Sequence, residues 1–455
     1  MTGTAHPRIE TLEHPTLGDR SYLLVDERSH LAAVVDPQRD IDPYLDAARR
    51  AGSRIAVALE THVHNDFLSG ARRLAVEHGA TVVASRAAEL TYAHRAVDDG
   101  DTIDLGDLRI EVRATPGHTR EHVSYLVQAA EPVLFSGGAL IPGGAARIDL
   151  FGPEEAASLA GLAHHTIGQL LALDPRVRVL PTHAGGSFCS TGAHGPASST
   201  IADERLGNRF AGLADGAALL AAATGDVPPV PSYYPRIRVR NRHGEIARPV
   251  TPHPLDHTSL HRQMRDQQLT VIDTRDSADY ATRHISRSLA IGLRGSFAPW
   301  AAWIADEGRG IALVLGDVAA AREATAALAA VGRDDVVGYV IGVNGAGLAE
   351  SSVRRIKARE LRDMSDPVIV DVRWDYEWDE GHVPGAIHLT PDEIAASGAS
   401  ALVDVGQPVA VHCAGDYRSA IGVSLLERAG VTDLIHVADG FGGWRDAGGA
   451  VTSAK

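Results

Sequence analysis

The stretch Val409-Ala-Val-His-Cys-Ala-Gly-Asp-Tyr-Arg418 runs from an apolar strand into a helix that begins near Ser419. Its cysteine stands at the junction of the two. A thiol placed there faces the backbone N–H groups that a first helical turn leaves unpaired, and the positive end of the helix. Those donors, together with the guanidinium of Arg418, favour a thiolate. Such settings lower a cysteine pKa from about 8.5 to roughly 3.5–7.5. The same cradle stabilises the anion of a terminal persulfide, so Cys413 reads as a nucleophile and Arg418 as the partner that holds an anionic donor.

A strand–loop–helix needs a sheet around it, and the flanking sequence supplies one twice. Val271-Ile-Asp-Thr-Arg275 resembles Ile369-Val-Asp-Val-Arg373 at an offset of 98 residues. The same offset carries His284 to His382, Leu289 to Ile387, residues 311–315 onto 409–413, and Gly332 to Gly430, without a gap. This predicts a duplicated α/β domain, each copy reading strand–helix–strand and then strand–loop–helix. The first copy has Leu315 in the place of Cys413 and Ala320 in the place of Arg418, and so lacks the chemistry.

Upstream of the repeat, short apolar strands at 22–25, 31–35, 55–59, 123–127 and 177–180 alternate with Ala-rich helical stretches. Several lead directly into histidine or aspartate. The strand at 55–59 enters Thr61-His62-Val-His64-Asn-Asp66-Phe67, and later come Thr115-Pro-Gly-His118 and Pro181-Thr-His183. Two histidines two apart at a strand end, with an aspartate on the next turn, can bind a metal. Strand-end loops on one edge can gather all of these groups, so His62, His64, Asp66, His118 and His183 are the candidate ligands. Residues 227–235 hold four prolines and predict the start of the exit from this domain.

The motifs Asp371-Val-Arg373, Glu377, Gly381-His-Val-Pro-Gly-Ala386, the six-residue loop 413–418 and Gly440-Phe-Gly-Gly-Trp444 resemble a rhodanese (sulfurtransferase) domain. By that resemblance Cys413 carries sulfane sulfur, Arg418 helps hold the anionic donor, and Asp371 and His382 are scaffold. The first copy is then an inactive rhodanese-like domain. The histidine motifs resemble a metallo-β-lactamase-fold domain, an αββα sandwich. Asp36-Pro-Gln-Arg39, His118-Thr-Arg-Glu-His122-Val-Ser-Tyr125 and His183-Ala-Gly-Gly-Ser187 are similar to the persulfide dioxygenases within that superfamily, and the order of domains to their rhodanese fusions. The fold expected is α/β: a metallo-β-lactamase sandwich over 1–246, an inactive rhodanese-like domain over 247–350 and an active one over 351–455, both doubly wound.

The persulfide dioxygenase resemblance implies Fe(II) held by two histidines and one aspartate. His62 and His118 supply the first two. The family's Phe-Thr-Gly-Asp segment reads Phe135-Ser-Gly-Gly138 here, so Gly138 stands where the aspartate would, and Phe67 replaces the last histidine of the superfamily's metal motif. Three outcomes stay open: iron on His62 and His118 with an outside ligand, zinc on His62, His64 and His118, or no metal. Asp149, beside Arg147, is the nearest acidic residue downstream and is not taken as a ligand. Cys189 reads as a packed thiol, and Ser124 and Tyr125 as structural.

Composition narrows the functions. The chain has 455 residues and a net charge of −15, which argues against nucleic acid as a partner. With two cysteines there is no disulfide framework, in keeping with a reducing compartment. No apolar run approaches the roughly 18 residues of a membrane span, and the first ten residues lack a secretory pattern. A cytoplasmic enzyme of sulfur metabolism is expected, with no membrane partner and with homo-oligomers allowed. Its partners would be a low-molecular-weight thiol persulfide, thiosulfate or sulfite. The leading reading is persulfide oxidation to sulfite coupled to sulfur transfer at Cys413. The alternatives are a sulfurtransferase whose metal domain is a scaffold, and a non-enzymatic sulfane-sulfur sensor. A two-metal hydrolase is disfavoured by Phe67 and Gly138.

Overall fold

In the strand Asp19–Asp26 neighbouring side chains go to opposite faces: Tyr22 and Leu24 enter one apolar cluster, Leu23 and Val25 another. Ala33 and Val35 against Ala32 and Val34 repeat the alternation one strand over. A sheet apolar on both faces must be covered twice, and this one is. The computed structural model describes residues 7–14, 16–184, 187–191, 196–246, 251–266, 268–343, 349–402 and 406–453. The chain divides into Met1–Arg248 with Ala330–Gly332, and Pro249–Ala329 with Arg333–Lys455.

The first unit stacks two six-stranded sheets. One has the order β1 (Arg8–His14), β2 (Asp19–Asp26), β3 (Leu31–Val35), β4 (Arg54–Leu59), β5 (Thr81–Ser85), β6 (Arg95–Val97). The other runs from β7 (Thr102–Leu105) through β8 (Leu108–Ala114), β9 (Val123–Val127), β10 (Val133–Gly137) and β11 (Arg178–Pro181) to β12 (Ser199–Thr200). Their inner faces share a core of Tyr22, Leu59, Ile110, Tyr125 and Phe135. Helices α1 (Asp42–Arg50) and α2 (Ala71–His78) cover the outer face of the first sheet. Helix α3 (Pro153–Leu171) covers the second, with α4 (Ile201–Gly207) and α5 (Gly216–Thr224) beside it. This is the αββα sandwich. The proline run does not begin an exit: α6 (Tyr234–His243) starts inside it and buries Tyr234, Ile237 and Asn241. Pro235 occupies the first helical turn, where a missing N–H costs nothing.

The second unit contains both copies of the repeat. A parallel sheet in the order β15 (Leu289–Ala290), β13 (Leu269–Asp273), β16 (Gly310–Leu315), β17 (Val336–Ile341) belongs to the first. Its remaining elements are α7 (His257–Arg265), α8 (Ser277–Thr282), β14 (His284–Ile285), α9 (Phe297–Ile304) and α10 (Ala320–Ala330). The short β18 (Glu350–Ser351) pairs with β14. A second parallel sheet has the order β19 (Arg354–Ile356), β23 (Leu434–Val437), β22 (Val409–His412), β20 (Val368–Asp371), β21 (Ile387–His388). Around it lie α11 (Ala358–Arg362), α12 (Asp375–Glu380), α13 (Pro391–Ser397), α14 (Tyr417–Ala429) and α15 (Gly440–Asp446). The 98-residue offset relates four strands of the first sheet to four of the second in the same spatial order.

It also relates side chains. Asp273 grips Arg275 at 2.6 Å, and Asp371 grips Arg373 at 2.6 Å. His284 lies flat on Tyr280 with ring centroids 3.8 Å apart, as His382 does on Trp378 at 3.5 Å. Asp371 and His382 are thus scaffold, as expected. Among the described residues no helix is long and apolar enough to cross a membrane.

All five tryptophans fall in the second unit, so their fluorescence follows its unfolding alone. Asp371→Asn leaves the buried Arg373 guanidinium without its counter-charge, and removing one partner of such a pair costs about 3–5 kcal/mol. A clear drop in the tryptophan-monitored unfolding midpoint is expected. An unchanged midpoint contradicts the scaffold role.

Candidate functional site

The strands of the sandwich deliver their polar residues at their ends. Asp36 follows β3, Glu60 to Asp66 follow β4, His118 follows β8, Gly138 follows β10 and His183 follows β11. His62, His64, Asp66, His118 and His183 are all buried. One nitrogen each from His62, His118 and His183 lies within 4.8 Å of the others.

The tautomers of this trio follow from their hydrogen bonds. His118 Nδ1 donates to the Arg147 carbonyl at 2.6 Å, and His183 Nδ1 to Asp19 at 3.0 Å. His62 Nδ1 meets Thr61 Oγ1 at 2.9 Å. That hydroxyl already donates to Asp36 at 2.8 Å, so it accepts from His62. All three rings therefore carry their proton on Nδ1 and turn an Nε2 lone pair inward. His62 Nε2 and His183 Nε2 stand 3.3 Å apart. Two lone pairs at that distance repel unless a cation lies against both. Nitrogens each about 2.0–2.1 Å from one tetrahedral ion would be roughly 3.3–3.4 Å apart. Among the described residues His118 Nε2 and both oxygens of Asp66 lack a hydrogen-bond partner. Burial pushes the pKa of all three histidines below its ordinary value, leaving neutral rings as a ligand must be. These residues fit a single divalent metal ion.

His64 is held differently. Its Nε2 is 3.2 Å from Asp36 and 3.6 Å from Glu60, and its ring stacks on the buried Phe67. Burial opposes a charge on His64, but Asp36, Glu60 and Asp66 outweigh it and raise the pKa to about 9. His64 also belongs, with Asp66 and His183 and with Asp36 and Glu60, to groups whose donor atoms lie within 4.8 Å of one another, and both its nitrogens lack a hydrogen-bond partner. Asp66 sits beside His183 and His64, at 3.4 and 4.0 Å. Burial, with Asp19 adding to it, raises its pKa to about 6.

The space an aspartate would need at position 138 is filled. A Cβ on Gly138 would lie 2.8 Å from the ring of His118 and 2.9 Å from Ala146. The Gly138 N–H donates to His122 Nε2 at 2.9 Å, which fixes the backbone there. Asp149 is bound to Arg147 by two contacts of 2.7 Å, so it has no part in the centre. Cys189 donates to Tyr234 at 3.4 Å, and burial pushes its thiol pKa up. Tyr125 donates to the Glu60 carbonyl, and Ser124 meets Thr115, both inside the sandwich. Of the stretch His183–Ser187, Gly185 and Gly186 lie outside the described residues.

In the second unit Cys413 is the first residue past β22 and is buried, with α14 starting four residues on. Its carbonyl accepts the Phe441 N–H at 2.7 Å. Gly440, at φ 54°, passes so close that a Cβ there would meet the Cys413 carbonyl oxygen at 2.4 Å, which is why the loop is backed by glycine. Arg418 interacts electrostatically with the Cys413 thiol and has a second partner as well. Its guanidinium binds Glu377 at 2.5 and 2.8 Å and lies over Trp374, so it braces the loop through a carboxylate. Cys413 Sγ contacts Ser419 Oγ at 3.5 Å, and Ser419 Oγ contacts His436 Nε2 at 3.0 Å. Asp19 and His436 were not singled out in the sequence and lie in no motif that announces them, while His122 falls within the quoted stretch His118–Tyr125 without a role assigned to it.

Residues 16–183 match the metallo-beta-lactamase superfamily, and residues 357–447 match the rhodanese-like domain. Hydroxyacylglutathione hydrolase of Pseudomonas aeruginosa (strain LESB58) is 31% identical over 164 residues, covering 36% of this chain and 60% of that protein. The chain thus spans about 60% of the length of the first curated relatives it matches. A probable metallo-hydrolase of Burkholderia pseudomallei (strain 1710b) is 31% identical over 236 residues, 43% of this chain and 78% of that one. The crystal structure of a metallo-beta-lactamase from Staphylococcus aureus subsp. aureus COL is 26% identical with a TM-score of 0.67, covering 74% of this chain and 99% of its own.

Protein purified without chelator is expected to carry metal that His62→Ala, His118→Ala and His183→Ala each remove, measured by elemental analysis. Gly138→Asp should lower the metal content, because the new Cβ displaces the His118 ring. Full retention in His183→Ala contradicts the trio.

Proposed function

Since the chain belongs to the metallo-β-lactamase superfamily and carries a rhodanese-like domain, we propose that it is a sulfur-metabolism enzyme whose Cys413 carries sulfane sulfur as a persulfide. The observation that supports this reading most directly is the placement of a buried thiol between β22 and the first turn of α14. The N–H groups of that turn have no partners within the helix and point toward the loop, where they offset negative charge on sulfur.

The Cys413 thiolate attacks the sulfane sulfur of thiosulfate or of a low-molecular-weight thiol persulfide. A new S–S bond forms, the donor's own S–S bond breaks, and its electron pair leaves with sulfite or with a thiolate. A second nucleophile, thiol or sulfite, then takes the sulfur and restores the cysteine. Splitting the transfer in two replaces one encounter between anions by two displacements on a held group. The brace of Arg418 on Glu377 fixes the helix end during both. The first copy, with Leu315 and Ala320 at the matching places, takes no part in the displacement.

In the N-terminal unit His62, His118 and His183 would hold one divalent ion. Bound there, it would supply Lewis acidity toward a sulfur or oxygen ligand. Three imidazoles suit zinc or iron(II). The unit is proposed to act on the thiol persulfide that exchanges sulfur with Cys413, oxidation to sulfite being the activity that the resemblance adds. A two-metal hydrolase fits less well: the buried Phe67 stacks on His64, and no carboxylate fits at Gly138.

Sulfur transfer from thiosulfate or glutathione persulfide to cyanide should fall to the protein-free background in Cys413→Ala and survive in Cys189→Ala. Activity that persists in Cys413→Ala overturns the assignment. Oxygen uptake by iron-loaded protein given glutathione persulfide should exceed a protein-free control; no excess removes persulfide oxidation and leaves sulfur transfer.

A further inference from the structure

We propose that the cleft where the copy without a nucleophile meets the end of α14 is a binding site for a small organic diphosphate: two linked phosphate groups carrying a compact apolar or aromatic part. The inference goes beyond the sulfur chemistry at Cys413 and does not depend on it.

A cavity of about 550 Å³ opens at the N-terminal edge of the first parallel sheet. Leu269 begins β13, Arg309 immediately precedes β16, and Arg287 lies two residues before β15. Leu315, in the place of Cys413, ends β16 at the opposite edge. The volume falls within the roughly 300–1,000 Å³ of small-molecule sites. Leu269, Val271 and Ile285 give the cavity an apolar wall.

Its charge is one-sided. Arg265, Arg287, Arg309 and Arg428 line it against a single carboxylate, Asp306. Four cations against one anion leave an excess of three positive charges, in a chain whose own net charge is −15. Asp306 is shared: it accepts from Arg428 at 2.7 Å, Arg309 at 3.1 Å and Thr270 at 3.0 Å. Arg265 reaches Asp266 at 3.8 Å. Among the described residues Arg287 forms no ion pair, the nearby Glu427 being turned to His284 at 2.9 Å. Arg287 and Arg428 each donate to the other's backbone carbonyl, at 3.1 and 3.3 Å, which holds two like charges side by side. A guanidinium has five N–H donors in a planar fork, so most of theirs remain for an anion set between them. That fork suits phosphate oxygens taken in pairs.

The sister copy shows that the fold does not require these arginines. At the 98-residue offset Arg287 corresponds to Gly385 and Arg309 to Gln407. The turns match: φ is 65° at Arg287 and 76° at Gly385, and 78° and 70° at Gly308 and Gly406 beside the second pair. Glycine adopts this left-handed conformation freely, whereas a side chain there is strained. The first copy therefore keeps an arginine at a backbone cost that the second copy avoids with the same turn. Residues that only build the fold, such as the Asp273–Arg275 and Asp371–Arg373 pairs, occur in both copies. The cationic lining is confined to the copy that has no nucleophile.

The ligand class follows from charge and wall together. A terminal phosphate carries about −1.5 to −2 at pH 7 and an inner one adds a further unit, which matches the excess. A lone inorganic anion would leave the apolar wall unused.

Calorimetric titration of the full-length protein with ADP, pyrophosphate and adenosine as probes tests this. ADP should bind more tightly than either of the others, and should raise the tryptophan-monitored unfolding midpoint, since a ligand of the folded state stabilises it. Arg287→Gly and Arg309→Gln install the sister copy's residues, and each should weaken ADP binding roughly tenfold or more by removing a charge-assisted contact. Without ligand, Arg287→Gly should unfold no earlier than the parent, because the turn already has glycine's conformation; weaker binding in that variant is then not a folding defect. No ADP binding at about 1 mM, weaker than any specific site of this kind, overturns the proposal. So does adenosine binding as tightly as ADP, pyrophosphate binding as tightly as ADP, or parent-like ADP affinity when both substitutions are combined.

Discussion

One buried carboxylate organises the N-terminal half of this protein. Asp36 sits at the end of β3 with φ 49°, a conformation that non-glycine residues seldom adopt. It accepts the Thr61 N–H at 2.7 Å, the Thr61 hydroxyl at 2.8 Å and the Thr182 hydroxyl, and it lies 3.2 Å from His64 Nε2. Burying an unpaired charge would be prohibitive. Burial here does push the Asp36 pKa up, but His64 and the hydrogen bonds outweigh it and the net shift is downward. The partners lie on both sheets of the sandwich, since Thr61 follows β4 and Thr182 follows β11. Thr61 precedes His62 and Thr182 precedes His183. A single anion thus sets the positions of two of the three histidines, while His64 stays with the carboxylates as a counter-cation.

The second unit applies the same device to another end. Asp371 anchors Arg373 beneath the sheet, Glu377 anchors Arg418 beside the sulfur loop, and Asp416 is anchored by residues of the sister copy. Each carboxylate fixes a loop that follows a parallel strand, and the thiol lies among them. The copy without the cysteine supplies neighbouring side chains, Ser277 and Arg294, to Asp416. Trp300 of the first copy stacking on Trp374 of the second, with planes 4° apart, belongs to the same seam.

The fold was legible because its signals are local. Apolar runs with alternating faces mark the sandwich strands, and a gapless repeat marks the duplication. Cys413 was legible because strand, thiol and helix are contiguous. The candidate metal site was legible only in part. His62, His118 and His183 each announce themselves at a strand end, but their grouping depends on how far His118 leans into the space above Gly138, which no pattern in the chain encodes. His64 looks like a ligand in sequence because it is two residues from His62, yet β4 ends at Leu59 and the irregular loop beyond it sets His64 against Asp36 and Glu60. Ser419 and His436 are 17 residues apart and meet only because β23 packs beside β22. The proline run misled for a physical reason: proline breaks a helix interior but suits its first turn.

His62, His118 and His183 bring three imidazoles together where the persulfide dioxygenase resemblance implies two and a carboxylate. X-ray absorption at the metal edge of full-length protein loaded with one equivalent of zinc tests this directly. Three imidazole nitrogens at about 2.0–2.1 Å are expected, falling to two in His183→Ala and staying three in His64→Gln. A first shell with two imidazoles and a carboxylate, or one unchanged by His183→Ala, would contradict it.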